Sequence, residues 1–370
     1  MIHAPPNSPR RAFTLLELLV VIMILGILAS LTMFALWDSL EEARAARTRA
    51  QIQKIHELLM IHWESYRTRP VPIRTSAAAP QQAAQLRLLA LRELMRMELP
   101  DRITDVTDPP TYLSGRPALN LAYRRRAANV SWSATNQQAE CLYMILANMQ
   151  DGTRRGLDFF RENEIGDTDG DGMPEILDGW GRPIRFLRWA PGYSSPLQPS
   201  PPSALNPVRS PELLPDPFDP LRVDPRWKNN NPDDPNYPYS SPPSGVDVTL
   251  DDPFQLFPLV FSAGPDGLYH LVIDTYSGTP TEDDYVGGQF NGGVPLQYSL
   301  TDTGPYLSYN AVWGAPYPEE PWPTALWNSA ALNRNKNDPY VILPGCQLRI
   351  GAVFGDGAED NIDNHFLTVR

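Results

Sequence analysis

The stretch GDTDGDGMPEILDGWG, residues 166–181, places Asp167, Asp169 and Asp171 at alternate positions, Gly172 at the sixth place and Asp178 at the twelfth. Alternate carboxylates followed by a glycine turn can wrap oxygens around a hard cation, and Met173 can add its backbone carbonyl. This is the spacing of a calcium loop, with Asp in the last place where Glu is usual, which shortens the reach for bidentate coordination. The competing reading is a solvated Asp/Gly turn before a strand. A structural Ca2+ is the expected cofactor.

A second residue with chemistry to do is Glu17, five residues into the apolar run of RRAFTLLELLVVI. A carboxylate inside hydrocarbon costs roughly 2.5 to 3.5 kcal/mol, so an intramembrane acid is by default a functional group with a partner. Near a helix start the headgroups and the helix dipole lower that cost.

The elements that must position these groups follow from the pattern around them. Residues 13–36 run about 24 positions with one charge, long enough for a helix to cross a bilayer core. A plain secretory signal has a shorter apolar core, and its polar flank does not continue the helix. Here it does: Leu40, Ala43, Ile52, Ile55, Leu59 and Trp63 keep helical spacing among charges, giving an amphipathic half over 37–69 that Pro70 ends.

Beyond it, residues 70–370 read as a globular domain with helices over 81–99 and 136–149. Strands are expected at 184–189, 256–262, 269–273, 340–343 and 347–354. Residues 191–253 hold about 17 of the 40 prolines and read as a long insertion. The fold class is therefore α+β: a long amino-terminal helix, transmembrane then amphipathic, packed on an antiparallel sheet.

With 31 Lys+Arg against 43 Asp+Glu, a formal net charge of -12, the chain is a poor match to a phosphate backbone, and no nucleic-acid partner is expected. Cys141 and Cys346 either pair in an oxidising compartment or remain small apolar residues in a reducing one. The histidines, His3, His56, His62, His270 and His365, form no metal spacing, and no phosphate loop, nucleophile elbow or HExxH pattern occurs. The chain reads as no enzyme.

The segment from Ala12 to Ile22, AFTLLELLVVI, resembles the prepilin cleavage and methylation motif of type IV pilins and type II secretion pseudopilins. The resemblance implies a leader of residues 1–12, removed by a prepilin peptidase between Ala12 and Phe13, N-methylation of Phe13, and Glu17 as the acid that meets a neighbouring subunit's terminal amine during assembly. Ala12 stands where the family usually has Gly, and Phe34 where many true pilins have a helix-bending Pro, which favours a pseudopilin. Two later patches, DGWGRPI at 178–184 and FSAGPDG at 261–267, are similar to segments of major type II secretion pseudopilins. That family holds calcium after the second segment, where Asp266, Glu282, Asp283 and Asp284 could supply oxygens. A third acidic cluster, residues 355–363, reads as a solvated turn.

The implied partners are other pilin-like subunits, the prepilin peptidase, an inner-membrane assembly platform and membrane lipid. The implied place is a single pass in the inner membrane, with a periplasmic domain and the leader cytoplasmic. Arg10 and Arg11 precede the span while Arg44, Arg47, Arg49 and Lys54 follow it, so a count of basic residues alone favours the reverse orientation. The expected function is a pseudopilin of a type II secretion-like filament. The alternatives are a type IV pilus subunit for adhesion or uptake, and a membrane-anchored calcium-dependent binding protein that never polymerises.

Overall fold

The structure, a computed structural model, describes residues 15–73, 80–133, 135–190, 193, 195–197, 216–223, 255–267, 269, 271, 275–276, 285–286, 289–290, 295–296 and 361–367. The chain divides into two compact units, Met1–Ala46 and Arg47–Arg370. A single helix, α1 (Leu15–Ser65), begins in the first and ends in the second. No proline interrupts it, and Gly26 is its one glycine.

In the first unit eighteen large apolar side chains, from Leu15 to Leu40, are exposed. At about 1.5 to 3 kcal/mol per side chain, covering them is worth tens of kcal/mol. Among the described residues α1 is the one helix long and apolar enough to cross a membrane.

In the second unit α1 buries Ile52, Ile55, Leu58, Leu59 and Trp63. It stops at Ser65 rather than running to Pro70. Tyr66, Arg67 and Thr68 wind into turns, and Glu98 draws the chain away. Arg69 donates to both Glu98 oxygens, at 2.5 and 2.7 Å, and the Tyr66 hydroxyl donates at 2.9 Å. Burial would raise the Glu98 carboxyl, but His62, Arg69 and Tyr66 outweigh it and hold it below its ordinary value.

Four helices follow: α2 (Pro80–Glu98), α3 (Ile103–Thr107), α4 (Ala118–Ala127) and α5 (Gln137–Asn148). Pro80 sits at the first position of α2, where its missing N–H costs nothing. Helices α3 and α4 were not anticipated, because what they bury is largely polar. Asn120 donates to the carbonyls of Met97 and Asp105, and the Tyr123 hydroxyl to that of Glu98. At their centre Arg188 is fully buried, donating at 2.8 Å to the Leu99 carbonyl and to Asp105 Oδ2, while Arg102 donates to Asp101. Burial alone would raise Asp101, but Arg188 and Arg102 outweigh it and lower the carboxyl.

The strands are short. Hairpins form from β1 (Gln150–Asp151) with β2 (Arg154–Arg155), and from β3 (Ile165–Gly166) with β4 (Glu175–Ile176). The central sheet has the order β11-β6-β5, all antiparallel, from β5 (Arg185–Leu187), β6 (Leu259–Ser262) and β11 (Ile362–Asp363). Between β6 and β11 lie β7 (Thr275–Tyr276), β8 (Tyr285–Val286), β9 (Gln289–Phe290) and β10 (Pro295–Leu296), with β7 pairing β10 and β8 pairing β9.

Helix α5 lies against β4 and β5, and α1 reaches this layer through side chains, with Gln51 donating to the Leu177 carbonyl. Leu187, Leu259, Phe261, Tyr269 and Leu271 form the apolar core of the sheet. Of the Pro-rich insertion, residues 193, 195–197 and 216–223 are described, and parts of it are packed: Phe218 meets the Trp63 ring edge-on, and Asp216 pairs with Arg92 at 2.8 Å. The expected strands at 340–343 and 347–354 lie outside the described residues. The acidic cluster at 355–363 is described only from Asn361, and there it is a buried strand: Asp363 accepts the His365 N–H at 2.8 Å.

His365 is fully buried between Ser195 and Pro258. The Pro258 carbonyl, 3.1 Å from Nε2, can only accept, so Nε2 carries the proton and Nδ1 accepts from the Ser195 hydroxyl at 2.8 Å. Burial, above all, lowers its pKa to about 4. A histidine that is neutral when folded and titrates near 6.5 when unfolded adds stability above the unfolded value and loses it as pH falls toward the folded one. Between pH 6.5 and about 4 the fold should therefore lose up to roughly 3 kcal/mol through this group. Melting of the full-length chain in detergent should show a shallower acid slope for His365→Gln than for wild type, and equal slopes would contradict the assignment.

Candidate functional site

The loop between β3 and β4 is built on its own acids. Asp167 accepts the N–H groups of Gly170, at 2.7 Å, and of Gly172, at 3.0 Å, closing the turn. Gly172 sits at φ 96°, the left-handed region that favours glycine, with Val130 close against the place a Cβ would take. Asp171 Oδ1 accepts the Met173 N–H at 2.8 Å, and its other oxygen accepts the Ser133 N–H. Ser131 donates to the Asp171 carbonyl, so residues 131–133 lie along the loop.

This arrangement divides the five residues of the sequence reading. Asp169 and Asp171 come together with Glu140, from the first turn of α5, each offering one oxygen within 4.8 Å of the others. Asp167 is committed to its own turn, and Met173 is buried. Asp178 points elsewhere: Oδ1 accepts the N–H groups of Trp180 and Arg182, and Oδ2 accepts the Ser262 hydroxyl at 2.6 Å.

Glu140 itself was missed in the sequence, because it stands 29 and 31 positions before Asp169 and Asp171 and its helical pattern marks only its neighbours as core. It is fully buried, and Oε2 accepts the Trp132 indole N–H. Burial pushes its carboxyl up to about 9, with Asp171, Asp169 and Glu175 adding to the shift against the Trp132 hydrogen bond. Beside it, Glu175 is raised chiefly by burial, although the Thr168 N–H, the Thr168 hydroxyl and Asn136 hydrogen-bond to it.

The patches DGWGRPI and FSAGPDG are in contact. Besides the Asp178 and Ser262 bond, Arg182 donates to the Gly264 carbonyl at 2.7 Å. Gly267, at φ 83°, lets the guanidinium pass where a Cβ would lie 2.4 Å from it. Asp266 stands in this turn, whereas Glu282, Asp283 and Asp284 lie outside the described residues. Cys141 carries a free, fully buried thiol whose pKa burial pushes well up. Cys346 lies outside the described residues.

At the other end of the chain, Glu17 lies in the first turn of α1, inside the exposed apolar stretch. Residues 7–33 match the family model of the prokaryotic N-terminal methylation motif. The chain carries the type IV pilin and pseudopilin signature. No curated protein and no solved structure matches it.

The matched span includes Ala12 and Phe13, which lie outside the described residues, and it also includes Glu17. It supports a pilin-like precursor processed by prepilin peptidase, a single-pass anchor and a structural subunit rather than an enzyme. Nothing in the motif reaches beyond residue 33, so the globular unit rests on its own geometry.

That geometry makes Asp178 the tie between the two later patches. Asp178→Ala leaves two N–H groups and a buried hydroxyl without their acceptor and should cost about 3 kcal/mol. Thermal melting of the full-length protein in detergent would show the loss, and an unchanged midpoint would contradict the role given to this carboxylate.

Proposed function

We propose that the chain is a pseudopilin: an inner-membrane subunit, cleaved before Phe13, that assembles through α1 into a short periplasmic filament serving protein export. The observation that carries the reading is the match over residues 7–33 with Glu17 inside it. Two further features support it. The exposed apolar side chains of α1 need lipid before assembly and neighbouring helices after it. The Asp178–Ser262 and Arg182–Gly264 contacts join the two patches that resemble major pseudopilins.

Glu17 is central to the mechanism. In the bilayer its charge is costly, and cleavage creates a terminal amine at Phe13, four residues away in sequence. Within one helix the two groups lie too close to the same end to set a register between subunits. A neighbouring subunit shifted along the filament can bring its amine to the Glu17 carboxylate in a medium where opposite charges attract strongly. The pair then tells each incoming subunit how far to rise. An assembly platform beneath the membrane and its ATPase would drive that rise, and the growing filament would push cargo outward.

Glu17→Leu should leave cleavage and membrane insertion unchanged but reduce recovery of cross-linked filament ladders at least about tenfold, since the lost attraction is worth more than about 1.4 kcal/mol. A variant that cross-links like wild type would remove the assembly role, and one that stays uncleaved would move Glu17 to peptidase recognition.

A further inference from the structure

We propose that Glu140, Asp169 and Asp171 form a calcium site that joins the first turn of α5 to the loop between β3 and β4. This goes beyond the pilin reading and does not depend on it. It also differs from the loop ligation expected from spacing, since Asp167 and Asp178 are turned to other tasks.

Three oxygens, one from each carboxylate, lie within 4.8 Å of one another. Calcium binds oxygen at about 2.3 to 2.6 Å, so two ligands on opposite sides of one ion stand up to roughly 5 Å apart. Acid clusters on surfaces are common and by themselves mean little. Glu140 is different: it is fully buried, and its Oε1 has no hydrogen-bond partner among the described residues. A buried carboxylate oxygen left alone is costly, and the remedies are a proton, a cationic side chain or a metal, of which the metal also draws Asp169 and Asp171 to the same point. Among the described residues none of the three acids is in a salt bridge with Lys, Arg or His.

The surroundings hold the ligands in place. Asp171 is fixed by the N–H groups of Met173 and Ser133, and Asp169 by the Ser133 hydroxyl at 2.9 Å. Each carboxylate oxygen keeps a lone pair after accepting one such bond. Trp132 holds the other oxygen of Glu140. Asp169 is exposed and Asp171 half-buried, so an ion enters from solvent and keeps water on that side. An all-oxygen anionic set selects a hard cation over zinc or copper. One ligand on a helix and two on an irregular loop suit calcium, which accepts uneven coordination, better than magnesium, which demands near-octahedral geometry.

The test uses the full-length protein in detergent, stripped with EDTA. Adding 1 mM calcium should raise the melting temperature by about 3 °C or more, and an equal concentration of magnesium should raise it less. Glu140→Gln should lose most of the shift. Asp169→Asn, at an exposed loop position, should do the same without risk to the core, while Asp266→Asn should keep it. Terbium should luminesce when tryptophan is excited, and Glu140→Gln and Asp169→Asn should each lose that signal. No shift in wild type, a shift of equal size in Glu140→Gln and Asp169→Asn, or an equal response to magnesium would each overturn the assignment.

Discussion

One helix has to satisfy two solvents. Up to Leu40 the side chains of α1 are apolar and exposed, and from Thr48 onward the same helix buries Ile52, Ile55, Leu59 and Trp63 among protein. The first part therefore needs a cover of its own. Water cannot be that cover, because the exposed apolar surface is worth tens of kcal/mol. Lipid or neighbouring helices can, and Glu17 is the one charge in that stretch up to Leu36.

The second unit uses its acids in an unusual proportion as internal connectors. Glu93 accepts the backbone N–H groups of Thr111, Tyr112 and Leu113, pinning the loop before α4 to α2. Glu98 joins the end of α1 to α2, Asp101 and Asp105 surround Arg188, and Asp178 joins the turn before β5 to β6. A net charge of -12 would suggest a solvated acidic surface, yet several of these carboxylates are buried and hydrogen-bonded. Short strands are enough in such a fold because side chains supply ties that longer ladders would otherwise give.

Much of this was legible in the sequence where apolar periodicity carries the signal. Helices α1, α2 and α5 lie close to their expected ranges, and β5 and β6 lie within theirs. Pattern reading failed where burial is polar. Helices α3 and α4 are held by Asn120, Tyr123 and Asp105, residues that local spacing assigns to a surface. The acidic loop was half legible: its spacing drew attention to Asp169 and Asp171, but Asp167 serves the turn and Asp178 serves Ser262. Glu140 could not be found from local spacing, since only the fold brings α5 to the loop. The amino-terminal signature needed no fold at all, because its chemistry is written in consecutive residues.

The most direct measurement is the intact mass and amino-terminal residue of the protein taken from its native membrane. A pilin-type subunit should begin at N-methyl-Phe13, with residues 1–12 absent. A chain that still begins at Met1 would contradict the processing on which the proposed assembly through Glu17 depends.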